Sequence, residues 1–377
     1  MRKKAPPRGQ PGRIMREFPE VLPPQDADAG PQEPVAWPEP QRGTRGTWAK
    51  PLQMGRAAVY AGTCSWADAH FVKEGGFYPK PVADRPAARL RFYATVFPTV
   101  EIDATYYALL DPQMADRWIQ WTPPGFVFHV KAFGLFTGHG VDPRRLPPEI
   151  QRLLPAEAAA MRQVSFREVS RDAEEACWAH FTEFARRLHE AGRLGYILCQ
   201  FPRWYLPSPG LFRRLGQIRG RLPGYRVAVE FRHRAWVERK HRAALEQTLR
   251  EQDLIYVVPD EPDLSWTVPP EVIVTSDWSV VRFHGRNAAA WSRRGASTHE
   301  VYDYLYSREE LEPWAGKARE IARQVDRLYL MFNNHYRGSS ARNARMMLEL
   351  LAAPDGASDA VRDAEVGAEI RRCEEEP

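Results

Sequence analysis

The segment "VEIDATYY" at residues 100–107 places polar side chains at alternating positions of a predicted strand. Because side chains of a strand point alternately to its two faces, Glu101, Asp103 and Thr105 share one face and the apolar residues share the other. Two carboxylates and a hydroxyl aligned in this way suit acid–base chemistry or the binding of a polar ligand. The pattern predicts one wall of a ligand site, provided that neighbouring elements cover both faces of the strand.

Two further predicted strands carry a matching base and acid. Lys131 lies near the end of "FVFHVKAF" and Glu230 near the end of "YRVAVEFRH". A lysine and a glutamate in a closed site can exchange protons with a substrate, and the ammonium group can also stabilise a developing oxyanion. His284 in "FHGRN" is a third candidate, as a proton donor to a leaving group. We predict catalytic roles for Lys131, Glu230 and His284, with buried ion pairing as the alternative for the first two.

A second pattern indicates an anion site. Arg286 follows His284 by two residues, and the turn "YRGSSARNA" contains Gly338, Ser339 and Ser340 directly before a predicted helix. Free backbone N–H groups at the start of a helix bind anions. We therefore predict that Arg286 and this turn clamp a phosphate or a carboxylate, the alternative being an ordinary turn with a serine cap.

Aromatic and amide side chains at strand ends complete the predicted site. Trp66, Tyr107 and Trp291 are candidates for stacking on a ring, although packing at the rim is the alternative. The predicted substrate-binding residues are Trp66, Glu101, Asp103, Thr105, Tyr107, Arg232, Arg286, Asn287, Asn333, Asn334, Gly338, Ser339 and Ser340.

The same residues argue against a bound metal. The potential ligands among them show no HxH or HExxH spacing. Lys131, Arg232, Arg282 and Arg286 would lie nearby and repel a cation. We expect no metal and no other cofactor.

The elements that position these residues alternate between β and α. Strands are predicted at 58–66, 99–107, 126–133, 194–201, 225–233, 253–260, 279–286 and 326–334, with helices between most of them but no clear helix between 260 and 279. Eight such units predict a (β/α)8 TIM barrel, an α/β fold, and an open doubly wound sheet is the alternative. In a barrel the polar face of each strand points inward, which for the first strand selects Thr63 and Ser65. A structural salt bridge, such as Glu101 with Arg282, is the alternative interpretation of any one of these charges.

Length and composition limit the possible domain organisation, ligand charge and location of the protein. The chain has 377 residues and a formal charge of +5, a balance that fits an anionic ligand. We predict a disordered proline-rich tail at 1–50, a barrel domain at 51–353 with an insertion at 134–172, and an acidic tail at 354–377. Four scattered cysteines without a CxxC pair indicate reduced thiols in the cytoplasm. No apolar run is long enough for a membrane span or a secretory signal.

Ten motifs in order resemble the YecE-like family of bacterial domains. They are "GTCSW", "FYP", "VEIDATYY", "PPGFVFHVKA", "FTGH", "LGYILCQFP", "VEFRH", "FHGRN", "YDYLYSREEL" and "FNNHYRGSSARNA", and they span residues 58–352. The resemblance implies a TIM barrel and no settled activity. The family is similar in shape to endonuclease IV and xylose-isomerase-like barrels, which suggests phosphoester or sugar chemistry by analogy alone. Asp103 stands where the family often has Asn, which replaces an amide donor with an acceptor.

Three functional hypotheses remain open at this point. The first is a metal-independent enzyme that acts on an anionic small molecule at the carboxyl ends of the strands. The second is a nucleic-acid-binding or endonuclease-like protein, in which Arg144, Arg145, Arg293 and Arg294 would contact phosphates and binding would weaken steeply with salt. The third is a non-catalytic binding protein. The sequence predicts neither the substrate nor the oligomeric state.

Overall fold

The computed structural model describes residues 50–74 and 76–353. The predicted tails at 1–50 and 354–377 lie outside these residues, apart from Lys50. The strands are β1 Leu52–Met54, β2 Ala57–Thr63, β3 Thr99–Ile102, β4 Val127–Lys131, β5 Leu194–Gln200, β6 Val227–Glu230, β7 Leu254–Asp260, β8 Trp278–Phe283 and β9 Arg327–Phe332.

Strands β2 to β9 form a closed parallel barrel. Each pairs in parallel with the next, and β9 returns to β2 with Ala58 opposite Arg327 and Thr63 opposite Phe332. Closure removes the free edges of the sheet, so every carboxyl end meets at one mouth. The predicted (β/α)8 barrel is confirmed. The short β1, which the sequence analysis missed, pairs antiparallel with β2.

Helices follow most strands and cover the barrel. The helices are α1 Ala69–Lys73, α2 Lys80–Ala83, α3 Pro86–Val96, α4 Ala104–Tyr107, α5 Gln113–Gln120, α6 Pro148–Gln151, α7 Ala156–Ala159, α8 Arg171–Glu190, α9 Pro209–Arg221, α10 Arg239–Glu251, α11 Ala288–Ser292, α12 Thr298–Val301, α13 Arg308–Ala322 and α14 Ser339–Ala352. As predicted, the connection between β7 and β8 contains no helix. Among the described residues, no helix is both long and apolar enough to cross a membrane.

The segment 134–172 is an ordered cover at the end of β4. It contains 3-10 turns at Gly134–Thr137 and Pro143–Arg145, helices α6 and α7, and a bridge between Val141 and Val164. Apolar side chains of the segment, including Leu135, Phe136 and Ile150, are buried in the core. This packing holds the segment beside the mouth.

The strand faces differ from the prediction at two places. Thr63 faces the outer helices, where its hydroxyl lies 2.9 Å from the Tyr93 hydroxyl of α3, and Cys64 points inward instead. Strand β3 ends at Ile102, so Asp103 begins the helical turn α4 and is not part of a strand. The register of β2 decides the face of Thr63, and the helical turn that follows Ile102 decides the position of Asp103.

Close contact between β2 and β3 requires glycine at position 62. A Cβ atom there would lie 2.3 Å from the Thr99 carbonyl oxygen, a backbone atom that cannot rotate away. We expect Gly62→Ala to lower the free energy of unfolding by at least about 1–3 kcal/mol, because the strands must separate. Gly316→Ala is the control: no atom outside its own helix lies within 4 Å of that Cβ, so alanine should stabilise α13 by about 0.5–1 kcal/mol. Urea denaturation measures both, and equal stabilities would contradict this account of the barrel wall.

Candidate functional site

Arg282 on β8 is the centre of a buried charge network inside the barrel. One terminal nitrogen lies 2.5 Å from Oε1 of Glu101 on β3, and the other lies 2.5 Å from Oε2 of Glu230 on β6. All three side chains are fully buried. The Tyr196 hydroxyl also donates to Glu101, at 3.1 Å. The salt bridge that the sequence analysis kept as an alternative for Glu101 therefore exists, as part of a larger network.

Both carboxylate oxygens of Glu230 contact side-chain nitrogen atoms. Besides Arg282, it contacts a guanidinium nitrogen of Arg232 at 2.8 Å and Nε2 of His284 at 3.2 Å. Burial by itself would raise the pKa of Glu230, but Arg282, His284 and Arg232 hold it well below its usual value. Glu230 is therefore a permanent anion with no exposed surface. It positions the arginines beneath the mouth and does not reach the mouth itself.

Glu261, directly after β7, is a buried acid that the sequence analysis did not identify. Its Oε1 lies 2.7 Å from the same Arg232 nitrogen that contacts Glu230, and its other oxygen accepts a bond from the Val268 backbone. Burial raises the pKa of Glu261 to about 7 in spite of Arg232. Two neighbouring carboxyls with opposite pKa shifts are typical of acid–base sites.

Lys131 pairs with Asp103 and not with Glu230. Its Nζ lies 3.4 Å from Oδ1 of Asp103 and 4.7 Å from the centre of the Tyr106 ring. The predicted Lys131–Glu230 pair is therefore wrong in its partner, because both oxygens of Glu230 are occupied by arginine nitrogen atoms. The side chains of Lys131 and Asp103 are 9% and 22% exposed, in contrast to the sealed network below them. Burial by itself would lower the pKa of Lys131, but Asp103 raises it, so the ammonium form persists.

His284 is held as a neutral ring in the same layer. The Asn333 amide nitrogen lies 3.1 Å from Nδ1 and donates to it, which leaves the imidazole proton on Nε2, facing Glu230. Burial and the nearby Arg232 lower the pKa of His284 to about 3. A neutral imidazole can donate a hydrogen bond here but does not carry a positive charge at neutral pH.

Aromatic rings surround the exposed part of the site. Tyr106 and Tyr107 pack edge to face, and the His139 ring of the 134–172 segment packs on Tyr106. Burial, together with the charges of Lys131 and Arg232, lowers the pKa of His139 to about 3. Both cations therefore act on the same part of the mouth.

The predicted aromatic contacts fall in different environments. Trp66 packs edge to face against Trp118 of α5 and is buried, so it belongs to the outer core and not to the mouth. Trp291 stays near the site, with the Arg232 guanidinium 5.1 Å from its ring. Tyr107 is half-buried, and burial raises its pKa to about 12 although Lys131 lowers it.

The cationic member of the predicted anion clamp is already paired with two acids. Arg286 makes a two-pronged ion pair with Asp260, at 2.9 and 2.6 Å, and lies 3.5 Å from Glu310 of α13. Asp260 points to the outer helices, so it draws Arg286 away from the barrel axis. Ser339 and Ser340 begin α14 after the left-handed Gly338 and are buried.

Three other residues predicted to bind substrate hold loops and strand ends in place. The Thr105 hydroxyl bonds the Ile102 and Lys131 carbonyls and so fastens the end of β3 to β4. Asn287 caps α11 and donates to the Glu300 carbonyl, and Asn334 donates to the Tyr304 carbonyl. These residues hold the loops and strand ends around the mouth through bonds to backbone carbonyls.

The acids near His284 do not offer an open metal site. Single ligand atoms of Glu230, Glu261 and His284 lie within 4.8 Å of one another. However, one Arg232 nitrogen contacts both carboxylates and occupies the position that a cation would need. The ligand set is therefore already neutralised by the chain.

Comparisons with known sequences identify relatives of this chain. A family model described as "Protein of unknown function DUF72" matches residues 60–365. The UPF0759 protein YunF of Bacillus subtilis (strain 168) is 29% identical over 298 residues, covering 78% of this chain and 94% of that protein.

Two solved structures are similar to this chain in fold. A DUF72 family protein of Thermotoga maritima MSB8 is 31% identical with a TM-score of 0.61, over 78% of this chain and 99% of that chain. A DUF72 family protein of Enterococcus faecalis V583 is 22% identical with a TM-score of 0.63, over 78% and 96% of the two chains. This chain therefore belongs to the DUF72 family.

Proposed function

We propose that the protein is an enzyme that binds an anionic small molecule at the barrel mouth and transfers a proton through Lys131 and Asp103. The observation that carries the proposal is the partly exposed Lys131–Asp103 pair above a sealed network of opposite charges. A phosphate or carboxylate that displaces Asp103 would find Lys131 in its charged form. Arg232 offers a second cation on the same side of the mouth.

The buried layer would supply electrostatics and not direct contact. Arg282 and Glu230 fix the positions of Arg232 and His284, and fixed charges need no reorganisation when a substrate reacts. In this proposal Lys131 is the acid or oxyanion partner and Asp103 the base, whereas Glu230 and His284 are positioning residues. The acid–base groups are side chains, so the chemistry at this layer needs no metal.

A small anion is favoured over nucleic acid as the partner. Two of the arginines predicted to contact phosphates are engaged elsewhere, since Arg144 bonds Asp142 and Arg293 bonds Glu300. The proposal also includes two finer points: that the protein is YecE-like within its family, and that it works in the cytoplasm.

A thermal-shift panel tests the proposal. Glucose 6-phosphate and glucuronate serve as anionic probes, glucose is the matched neutral probe, and a DNA duplex at low salt represents the alternative. We expect anionic probes to raise the melting temperature of the wild-type chain, and Lys131→Met to weaken their binding at least tenfold. Lys317→Met is the control, because the Lys317 ammonium group contacts the Pro270 carbonyl and the Trp314 ring and is not part of the Lys131–Asp103 pair.

Two results would overturn the proposal. One is an equal response to glucose and to the anionic probes, or no response to any of them. The other is stabilisation by duplex DNA alone, which would support the nucleic-acid hypothesis.

A further inference from the structure

Three loops bring potential metal ligands together at the rim of the barrel. Asp68 follows β2, His299 lies on α12 and His335 follows β9. One ligand atom from each lies within 4.8 Å of the others. These residues belong neither to the buried network nor to the Lys131–Asp103 pair, and the inference below does not depend on the proposed function.

The orientation of His335 leaves a lone pair facing a carboxylate. Its Nδ1 lies 2.9 Å from the Asn333 carbonyl oxygen and therefore carries the proton. In the neutral ring Nε2 is then an acceptor, and it lies 3.7 Å from Oδ2 of Asp68. These two acceptors are joined when a cation lies between them, either a proton on Nε2, which makes the contact an ion pair, or a metal ion. A backbone carbonyl bonded to the distal ring nitrogen is also the usual partner of a metal-bound histidine.

His299 supplies a second unsatisfied ring. Its Nδ1 is buried and has no hydrogen-bond partner among the residues that the structure describes. The neighbouring His70 packs against this ring at 4.0 Å, but Nδ1 of His70 is 2.8 Å from Glu74. A buried nitrogen without a hydrogen-bond partner destabilises the fold unless something binds it.

We propose that Asp68, His299 and His335 bind a divalent first-row transition metal, with zinc the preferred ion. Two histidines and one carboxylate are a common ligand set for zinc and for non-haem iron(II). Ligands of one tetrahedral zinc lie about 3.3 Å apart, so the Asp68–His335 separation needs to contract by only a few tenths of an ångström. The metal would tie the loops after β2, β8 and β9 together across the closure of the barrel.

Asn333 connects the site to the mouth. The Asn333 carbonyl orients His335, and the Asn333 side chain bonds His284. Metal binding would therefore fix the loop that positions His284. The metal itself would lie apart from the Lys131–Asp103 pair.

Metal titration of the full chain tests the site. After treatment with a chelator, we expect the wild-type protein to bind one zinc ion per chain with a rise in melting temperature. Asp68→Asn and His335→Asn should each lower zinc affinity more than tenfold. His241→Asn, on α10 and outside the cluster, should bind as the wild type does. Iron(II) serves as the second probe under anaerobic conditions.

Cobalt(II) absorption and circular dichroism together distinguish loss of the metal site from misfolding of a variant. Cobalt(II) bound in place of zinc should give visible absorption bands in the wild type and in His241→Asn, and these bands should be lost in His299→Asn. Circular dichroism then verifies that each variant is folded. The proposal is overturned if the wild type binds neither zinc nor iron(II), or if the folded Asp68 and His335 variants bind zinc as tightly as the wild type.

Discussion

Arg282→Met is expected to lower the free energy of unfolding by about 3–5 kcal/mol. The substitution keeps much of the side-chain volume but removes the charge that joins Glu101 to Glu230. Both carboxylates are fully buried, so water cannot replace the guanidinium. Removing one partner of a buried ion pair leaves an uncompensated charge, which costs far more than loss of an exposed pair.

Two comparisons make this measurement decisive. Arg144→Met removes an arginine that is exposed and bonded to Asp142, and it should leave the stability nearly unchanged because water replaces the lost contact. Adding Glu101→Gln and Glu230→Gln to Arg282→Met should recover part of the lost stability, because the orphaned charges are then gone. A cost below about 1 kcal/mol for Arg282→Met would contradict the buried network.

The stability of the wild-type protein is expected to fall between about pH 4.5 and pH 7 through Glu261. Burial raises the pKa of this carboxyl from 4.5 to about 7, so over this range the folded chain holds a proton that the unfolded chain releases. The contribution is complete below the unfolded pKa and is lost as the pH rises through the folded one. It amounts to about 3 kcal/mol.

Glu261→Gln removes this proton and isolates its effect. Relative to the wild type, the variant should gain about 3 kcal/mol of unfolding free energy between about pH 4.5 and pH 7.5, whatever its offset at low pH. Urea denaturation at several pH values measures the difference. Glu157→Gln, at an exposed glutamate on α7, is the control for replacing a carboxyl by an amide. A constant difference between the Glu261 variant and the wild type would show that Glu261 is ionised throughout.

Strand alternation predicted the buried network but not its geometry. The polar positions Glu101, Glu230 and Arg282 do point inward, because the helices leave only one face free for charge. The partner of Lys131 was wrong because the pairing depends on the height of each residue along its strand. Parallel strands are staggered in a barrel, and a single sequence does not give that stagger.

Residues beyond the strand ends were harder to predict. Asp103 and Thr105 were placed on a strand that in fact ends at Ile102, since "DATYY" forms a helical turn. Arg286 was assigned to the mouth because it continues the alternation of His284, yet Asp260 turns it outward. Glu261 was missed because it lies in the irregular connection after β7, where no periodic pattern exists.

The cluster of Asp68, His299 and His335 at the rim also depends on contacts between residues that are far apart in sequence. We expected no metal because the sequence lacks closely spaced ligands. Asp68, His299 and His335 come from loops far apart in sequence, and only barrel closure between β9 and β2 brings them together. No local motif indicates such a site.

A crystal structure of the full chain with a bound anionic probe tests the central claim most directly. Glucose 6-phosphate is the first choice, because its phosphate is easily recognised in density. The account predicts the phosphate within hydrogen-bond distance of Lys131 Nζ, with Glu101, Glu230 and Arg282 still joined beneath it. A phosphate bound away from the mouth, or a mouth in which Lys131 and Asp103 lie far apart and do not face the ligand, would contradict it.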